Sequence, residues 1–321
     1  FSSPRKLSFN SANLGNIQHL GTKAKRVLVT ICPMIKNLFK ALSVFPLPVL
    51  HALGAWLGWA VYGLSASYRR KIEIHSKIAF PYNESARLCA VKGSVKHAGM
   101  ALLELPFLWG LSTQQGAARC TDITGWDVVQ RAQAKGKGII FLTPHMGSFE
   151  STAQIFSTRA PITVLYRPNR KAELQDIIED SRARDNVALA PTTLGGVKIL
   201  LKALKRGEAV GMLPDQVPAQ GEGVWAPMFG QPAYTMTLPG RLHHATGASI
   251  VLAIGYRKPG GQGFCLELYQ GPESLSEDPV EAAAQVNAAM EKLILMHPEQ
   301  YYWGYERYKP PKGQQGQQGQ S

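Results

Sequence analysis

Acidic residues are nearly missing from the first quarter of this chain. Residues 1–80 carry eleven Lys and Arg but a single acid, Glu73, whereas residues 81–321 carry 24 basic and 21 acidic residues. The formal charge of +13 is therefore an N-terminal property. That distribution argues against a nucleic-acid face spread over a domain. Cysteine is also scarce. Cys32, Cys89, Cys120 and Cys265 form no C-x-x-C pair and no zinc spacing, so they read as free thiols on a reducing, cytoplasmic side. There is no G-x-S-x-G elbow, no H-E-x-x-H and no G-x-x-x-x-G-K-[ST] loop. The serine-hydrolase elbow, the zinc-protease helix and the phosphate loop are excluded on that ground, and no metal or other cofactor is implied.

Charge is absent altogether between Lys40 and Arg69. An apolar stretch of about 18 residues or more is a membrane-helix candidate. The run predicts an N-terminal membrane-anchoring helix within residues 41–68. Its helical part starts near Pro48 and lies in one leaflet or just spans. Tyr62, Tyr68, Arg69, Arg70 and Lys71 give it the aromatic and basic border suited to anionic headgroups. A buried core helix is the alternative. Residues 1–40 read as a basic lead-in and 69–310 as a catalytic domain. Residues 311–321, rich in Gln and Gly, read as a disordered tail. The late position of the apolar run does not suit a cleavable signal peptide.

Apolar runs and helical patterns alternate from residue 84 onward. Helices are expected over 84–109, 124–134, from Phe149, 174–184, 196–206, 239–246 and 279–297, the last opening on Asp278-Pro279-Val280-Glu281. Strands are expected over 139–143, 162–166, 187–189, 209–213, 249–256 and 264–269. This alternation predicts an α/β fold with a mixed, mainly parallel central sheet flanked by helices.

Chemistry concentrates at the ends of those strands, where such folds place their sites. Thr143-Pro144-His145-Met146-Gly147-Ser148-Phe149-Glu150 follows the first apolar run. Residues five apart on one helix diverge by roughly 140°. His145 and Glu150 meet only if the histidine lies on the loop and the glutamate on the first helical turn. Ser148 suits the N-cap. Glu150 would then orient an imidazole able to deprotonate a hydroxyl. Asp215 and Gln216 end another buried strand, at the same edge if the sheet is parallel. Arg167 and Arg170 end a third strand, and Arg182 follows; guanidinium forks suit phosphate oxygens. The aromatic stretch Tyr301–Lys309 reads as an apolar strand or loop beside the membrane. His243-His244 lacks metal partners and reads as structural.

His145–Glu150, Tyr166-Arg167-Pro168-Asn169, Pro214-Asp215-Gln216, Pro227-Met228-Phe229-Gly230 and Pro298–Trp303 occur in the order found in the late acyltransferases of lipid A biosynthesis, within the lysophospholipid acyltransferase superfamily. The chain resembles that family over about residues 40–310. The resemblance implies an inner-membrane enzyme working at the cytoplasmic face. It moves a fatty acyl chain from an acyl-carrier-protein or CoA thioester, as co-substrate, to a hydroxyl of a phosphorylated lipid acceptor. It also implies that His145 and Glu150 are the H-x-x-x-x-D/E pair, that Arg182 stands for a family arginine with Ser181 in place of the preceding glycine, and that Asp215 is the strand-end acid. A histidine common near the family's C-terminus is replaced by Tyr305. Three other readings remain open on sequence: acylation of a lysophospholipid or glycolipid, a catalytically dead membrane-binding module, and a thioesterase using Ser148.

Overall fold

The computed structural model describes residues 41–110, 118, 120–168 and 186–313. The lead-in expected over 1–40, the helix expected over 174–184, and most of the tail expected at 311–321 lie outside these residues, as do Arg170 and Arg182.

Three helices come first: α1 (Leu47–Leu64), α2 (Ala66–Ala79) and α3 (Glu84–Gly110). Pro48 stands in the first turn of α1, where its missing N–H breaks no bond. Ser65 ends α1 and caps α2, its hydroxyl accepting from the Tyr68 amide at 3.3 Å. The helix starts where expected, near Pro48, and one of its faces packs on the protein. Leu47, Leu50, His51, Gly54 and Gly58 recur at helical spacing and are buried. A Cβ on Gly54, Gly58 or Gly99 would strike the backbone of the facing helix, so α1 and α3 approach closely along a glycine seam. By length and composition alone α1 still qualifies to cross a membrane.

The chain then alternates: β1 (Cys120–Thr124), α4 (Trp126–Ala134), β2 (Ile139–Leu142), α5 (Phe149–Phe156), β3 (Ile162–Tyr166), β4 (Val187–Pro191), α6 (Leu194–Lys205), β5 (Ala209–Met212), β6 (Gly223–Met228), β7 (Gln231–Met236), α7 (Leu238–Thr246), β8 (Ser249–Arg257), β9 (Phe264–Gln270) and α8 (Pro279–Met296). Among the described residues, seven strands form one sheet in the order β1-β9-β8-β2-β5-β3-β4. Strands β8, β2, β5, β3 and β4 run parallel. Only β9 and β1, parallel to each other, run the opposite way. The mainly parallel sheet expected from the alternation is present. The edge strand β1 and the antiparallel β6–β7 hairpin were not anticipated.

Side chains of β2 alternate between two cores, as the pleat requires. Ile140 and Leu142 join Met212, Leu252, Val286, Met290 and Leu293 on one face. Ile139 and Phe141 join Val129, Ile155, Phe156, Val251 and Ala253 on the other. Both faces being buried explains why β2, β5 and β8 read as unbroken apolar runs. Ile139–Leu142 registers with Ala209–Met212 on one side and Ser249–Leu252 on the other. That register sets the strand ends side by side.

Candidate active site

His145 stands three residues beyond Leu142, and Asp215 three beyond its partner Met212. Two neighbouring parallel strands therefore deliver them to one point. The ring Nδ1 of His145 lies 2.6 Å from Asp215 Oδ1, and the backbone amide of His145 donates to Asp215 Oδ2 at 2.8 Å. Asp215 is 2% exposed. Burial pushes its carboxyl up, but the His145 charge, both hydrogen bonds from His145, and Arg307 outweigh that and hold it below the usual range. An ionised carboxylate only accepts, so Nδ1 carries the proton and Nε2 is left as the basic nitrogen.

Asp215, rather than Glu150, is therefore the carboxylate on Nδ1, which corrects the sequence expectation. Glu150 does stand on the first turn of α5, as expected, and it lines the same cleft. Ser148 was expected to cap that helix with its side chain and does not. Its hydroxyl is buried without a partner and its residue is 1% exposed, away from the cleft lining. A nucleophilic Ser148 has no access to substrate in this arrangement.

The turn carrying His145 is tied down at each residue. The Tyr302 amide donates to the His145 carbonyl at 3.2 Å, and Met146 bridges Tyr301. The Gly147 amide donates to the Gln300 carbonyl at 2.9 Å, and the Ser148 amide to the Gly255 carbonyl at 2.6 Å. Gly147 has φ +53, and a Cβ there would strike the Gly255 carbonyl oxygen, so this position needs glycine. The aromatic stretch at 301–309, an expected apolar strand or loop, packs against the His145 turn and the loop after β5. Tyr301 and Trp303 are buried, and Tyr305 accepts from the Val217 amide at 3.0 Å. Tyr305 thus braces the loop that carries Asp215 and Gln216. Arg307, also buried, donates to the Tyr234 carbonyl and to Thr235 on the hairpin. His243 and His244 bond the Ala248 and Ser276 carbonyls, a structural use as expected.

His145 opens onto a cavity of about 560 Å³. Apolar side chains from the sheet and α5 line part of it: Phe141, Phe156, Val164, Ala253, Leu266 and Leu268. Polar groups line the same cavity: Thr143, Glu150, Arg167, Gln216, Glu222 and Arg241. The structure thus brings together His145, Glu150, Arg167, Asp215 and Gln216; Arg170 and Arg182 are among the residues not described. Sequence reasoning passed over Arg241, which is exposed at the start of α7. It also passed over Glu104 and Arg257, a buried ion pair behind the His145 turn. The available signal was a lone acid in the apolar run Met100–Leu108, since a carboxylate there requires a cation. Among the described residues, no cluster of His, Cys, Asp and Glu has the makings of a metal site.

Known proteins are similar to this chain in sequence over most of its length. Residues 23–310 match the family model described as bacterial lipid A biosynthesis acyltransferase. The lipid A biosynthesis lauroyltransferase of Escherichia coli K12 is 30% identical over 274 residues, covering 84% of this chain and 88% of the relative. The lipid A biosynthesis palmitoleoyltransferase of the same strain is 27% identical over 266 residues, covering 82% and 86%. A lipid A biosynthesis acyltransferase of Haemophilus influenzae is 23% identical over 280 residues, covering 85% and 88%. A match that spans most of the chain, with the strand-end histidine and acid at the centre of the fold, identifies it as a member of the bacterial lipid A biosynthesis acyltransferase family.

Proposed function

We propose that this protein transfers a fatty acyl chain from an acyl-carrier-protein or CoA thioester to a hydroxyl of a lipid A precursor, at the cytoplasmic face of the inner membrane. The observation that carries the reading is the His145–Asp215 pair, with His145 in the wall of a largely apolar cleft. The cleft has the size usual for a ligand site. Its many apolar lining residues suit a hydrocarbon chain, and Arg167 and Arg241 in its lining suit a charged acceptor.

The steps follow from the ring. Nε2 of His145 takes the proton of the acceptor hydroxyl as that oxygen attacks the thioester carbonyl. Asp215 holds the tautomer and stabilises the imidazolium that forms. The C–S bond of the tetrahedral intermediate then breaks, and the imidazolium returns its proton to the leaving thiolate. No group on the enzyme is acylated. Glu150, on the same wall, stands beside the acceptor and supplies a second carboxylate to the site. Arg167, with Arg170 and Arg182, binds acceptor phosphate through guanidinium forks. General-base assistance contributes about 10²–10⁴-fold. His145→Ala is therefore expected to lower kcat by about that factor in a protein that melts like the parent. Near-parental transfer by folded His145→Ala, read by mass spectrometry of the acceptor lipid, would sink the mechanism. The same assay run with lysophospholipid or glycolipid acceptors separates the competing lipid substrates. A protein that transfers nothing from any carrier is the dead module instead.

A further inference from the structure

The His145 turn rests on a charged group that never reaches the cleft. Arg257 ends β8, the strand beside β2, and is 1% exposed. Its guanidinium spends every nitrogen. Nε and one terminal nitrogen fork onto Glu104 of α3 at 2.8 and 2.6 Å. That terminal nitrogen also donates to the Gly147 carbonyl at 2.8 Å, and the other to Nδ1 of His97 at 2.9 Å. Glu104 bonds His51 of α1 at 3.0 Å as well.

The backbone of Arg257 reaches the turn by a second path. Its amide donates to the Gln300 side-chain oxygen at 3.0 Å, and its carbonyl accepts from the Gln300 side-chain nitrogen at 3.0 Å. The main-chain carbonyl of Gln300 in turn accepts the Gly147 amide. Both polar groups of Gly147, two residues from the catalytic ring, therefore depend on Arg257. A charge-assisted bond in a dry site is the stronger kind, and small displacements of a catalytic group are costly in rate.

We propose that Arg257 is a positioning residue for the acyl-transfer reaction: anchored on Glu104, it clamps Gly147 from both sides and so sets where the His145 imidazole stands. The inference rests on the reading of His145 as the base. A salt bridge that merely closed the fold would have no need of the Gly147 contact.

The test uses the full-length enzyme in detergent, with acyl-carrier-protein thioester and lipid A precursor, and reads melting temperature, kcat and KM. R257Q strands the Glu104 charge and melts lower. R257Q/E104Q places two neutral amides in the same space and regains melting temperature. Its shorter side chain still cannot reach Gly147, so kcat per folded molecule stays at least about 10-fold below the parent, while donor KM moves less than about 3-fold. R257K keeps a charge against Glu104 and so secures the test should the double variant not fold. One ammonium nitrogen cannot stand where three guanidinium nitrogens make the contacts to Glu104, His97 and Gly147, and paired to Glu104 it gives up the Gly147 carbonyl, so kcat falls by about 10-fold. Parental kcat in folded R257Q/E104Q or R257K overturns the inference, as does kcat that recovers in step with melting temperature. Inactive His145→Ala beside fully active Arg257 variants refutes this inference alone, whereas active His145→Ala refutes the reading beneath it.

Discussion

Two carboxylates belong to the site of His145, and their geometry separates their roles. Asp215 is buried on Nδ1 and holds the ring tautomer, whereas Glu150 lines the cleft. Asp215→Asn leaves the shape but offers an amide that can press the ring into the wrong tautomer, and kcat is expected to fall by about 10²-fold or more. Glu150→Gln is expected to cost less in kcat and more in acceptor KM. Steady-state kinetics on the two variants decide the assignment, and a larger kcat loss for Glu150→Gln would reverse it. This was the part of the site least legible in the sequence. Glu150 is five residues from His145, and Asp215 is seventy away. Chain proximity favours the first, but β2 and β5 being sheet neighbours decides for the second. The strand ends themselves were legible, because strands buried on both faces read as plain apolar runs. Their order in the sheet is a tertiary fact that no local pattern encodes.

At the scale of elements, α3 carries two opposing demands. It must lie flat against α1 and also carry polar side chains to Arg257. The first demand falls on glycine. A Cβ on Gly99 would strike the Gly54 carbonyl oxygen, so Gly99→Val must push the helices apart. The expected cost is about 1–3 kcal/mol, read as a lower denaturant midpoint at unchanged slope. A midpoint equal to the parent would mean that the seam yields freely. The second demand falls on His97. Burial and the adjacent Arg257 cation lower its pKa from 6.5 to about 3. His97 stays neutral in the folded state and gains a proton on unfolding. The sign follows: its contribution is intact above pH 6.5 and is lost as pH falls from there towards 3. The loss runs at about 1.4 kcal/mol per pH unit well below 6.5. His97→Asn is expected to flatten the decline in stability between pH 6.5 and 5, measured by denaturation at each pH. An unchanged slope would show that His97 titrates normally. Glu104, held at about 2 by its cation and hydrogen-bond partners against the opposing effect of burial, makes its own loss only below its unfolded value of 4.5. Between pH 6.5 and 4.5 the decline therefore belongs to His97 alone of the two, and below 4.5 both contribute.

For the whole molecule, the proposed membrane association bears on the two faces of the apolar helix. Leu47, Leu50, His51, Gly54 and Gly58 are buried on one side of α1. Val49, Leu53, Trp56 and Leu64 are exposed on the opposite side, Trp56 at 71%. Uncharged composition could not distinguish these faces, because glycine packing and lipid contact both call for apolar residues. A helix held to the protein along one side is suited to lie in the interface with its other side in the acyl boundary, where apolar area and anionic lipid act together. The basic N-terminal quarter supplies the charge. Burying a Trp or Leu side chain is worth about 1.5–3 kcal/mol. Leu53→Glu with Trp56→Glu is thus expected to weaken binding to anionic vesicles by more than about 10-fold, while His145 chemistry on detergent-dispersed substrate is preserved. Salt alone should weaken the parent only in part, since the apolar contribution is not screened. Co-sedimentation with anionic and neutral vesicles across a salt series measures both effects. Parental binding by the double variant would place the membrane contact elsewhere on the chain and leave α1 as a structural helix of the catalytic unit.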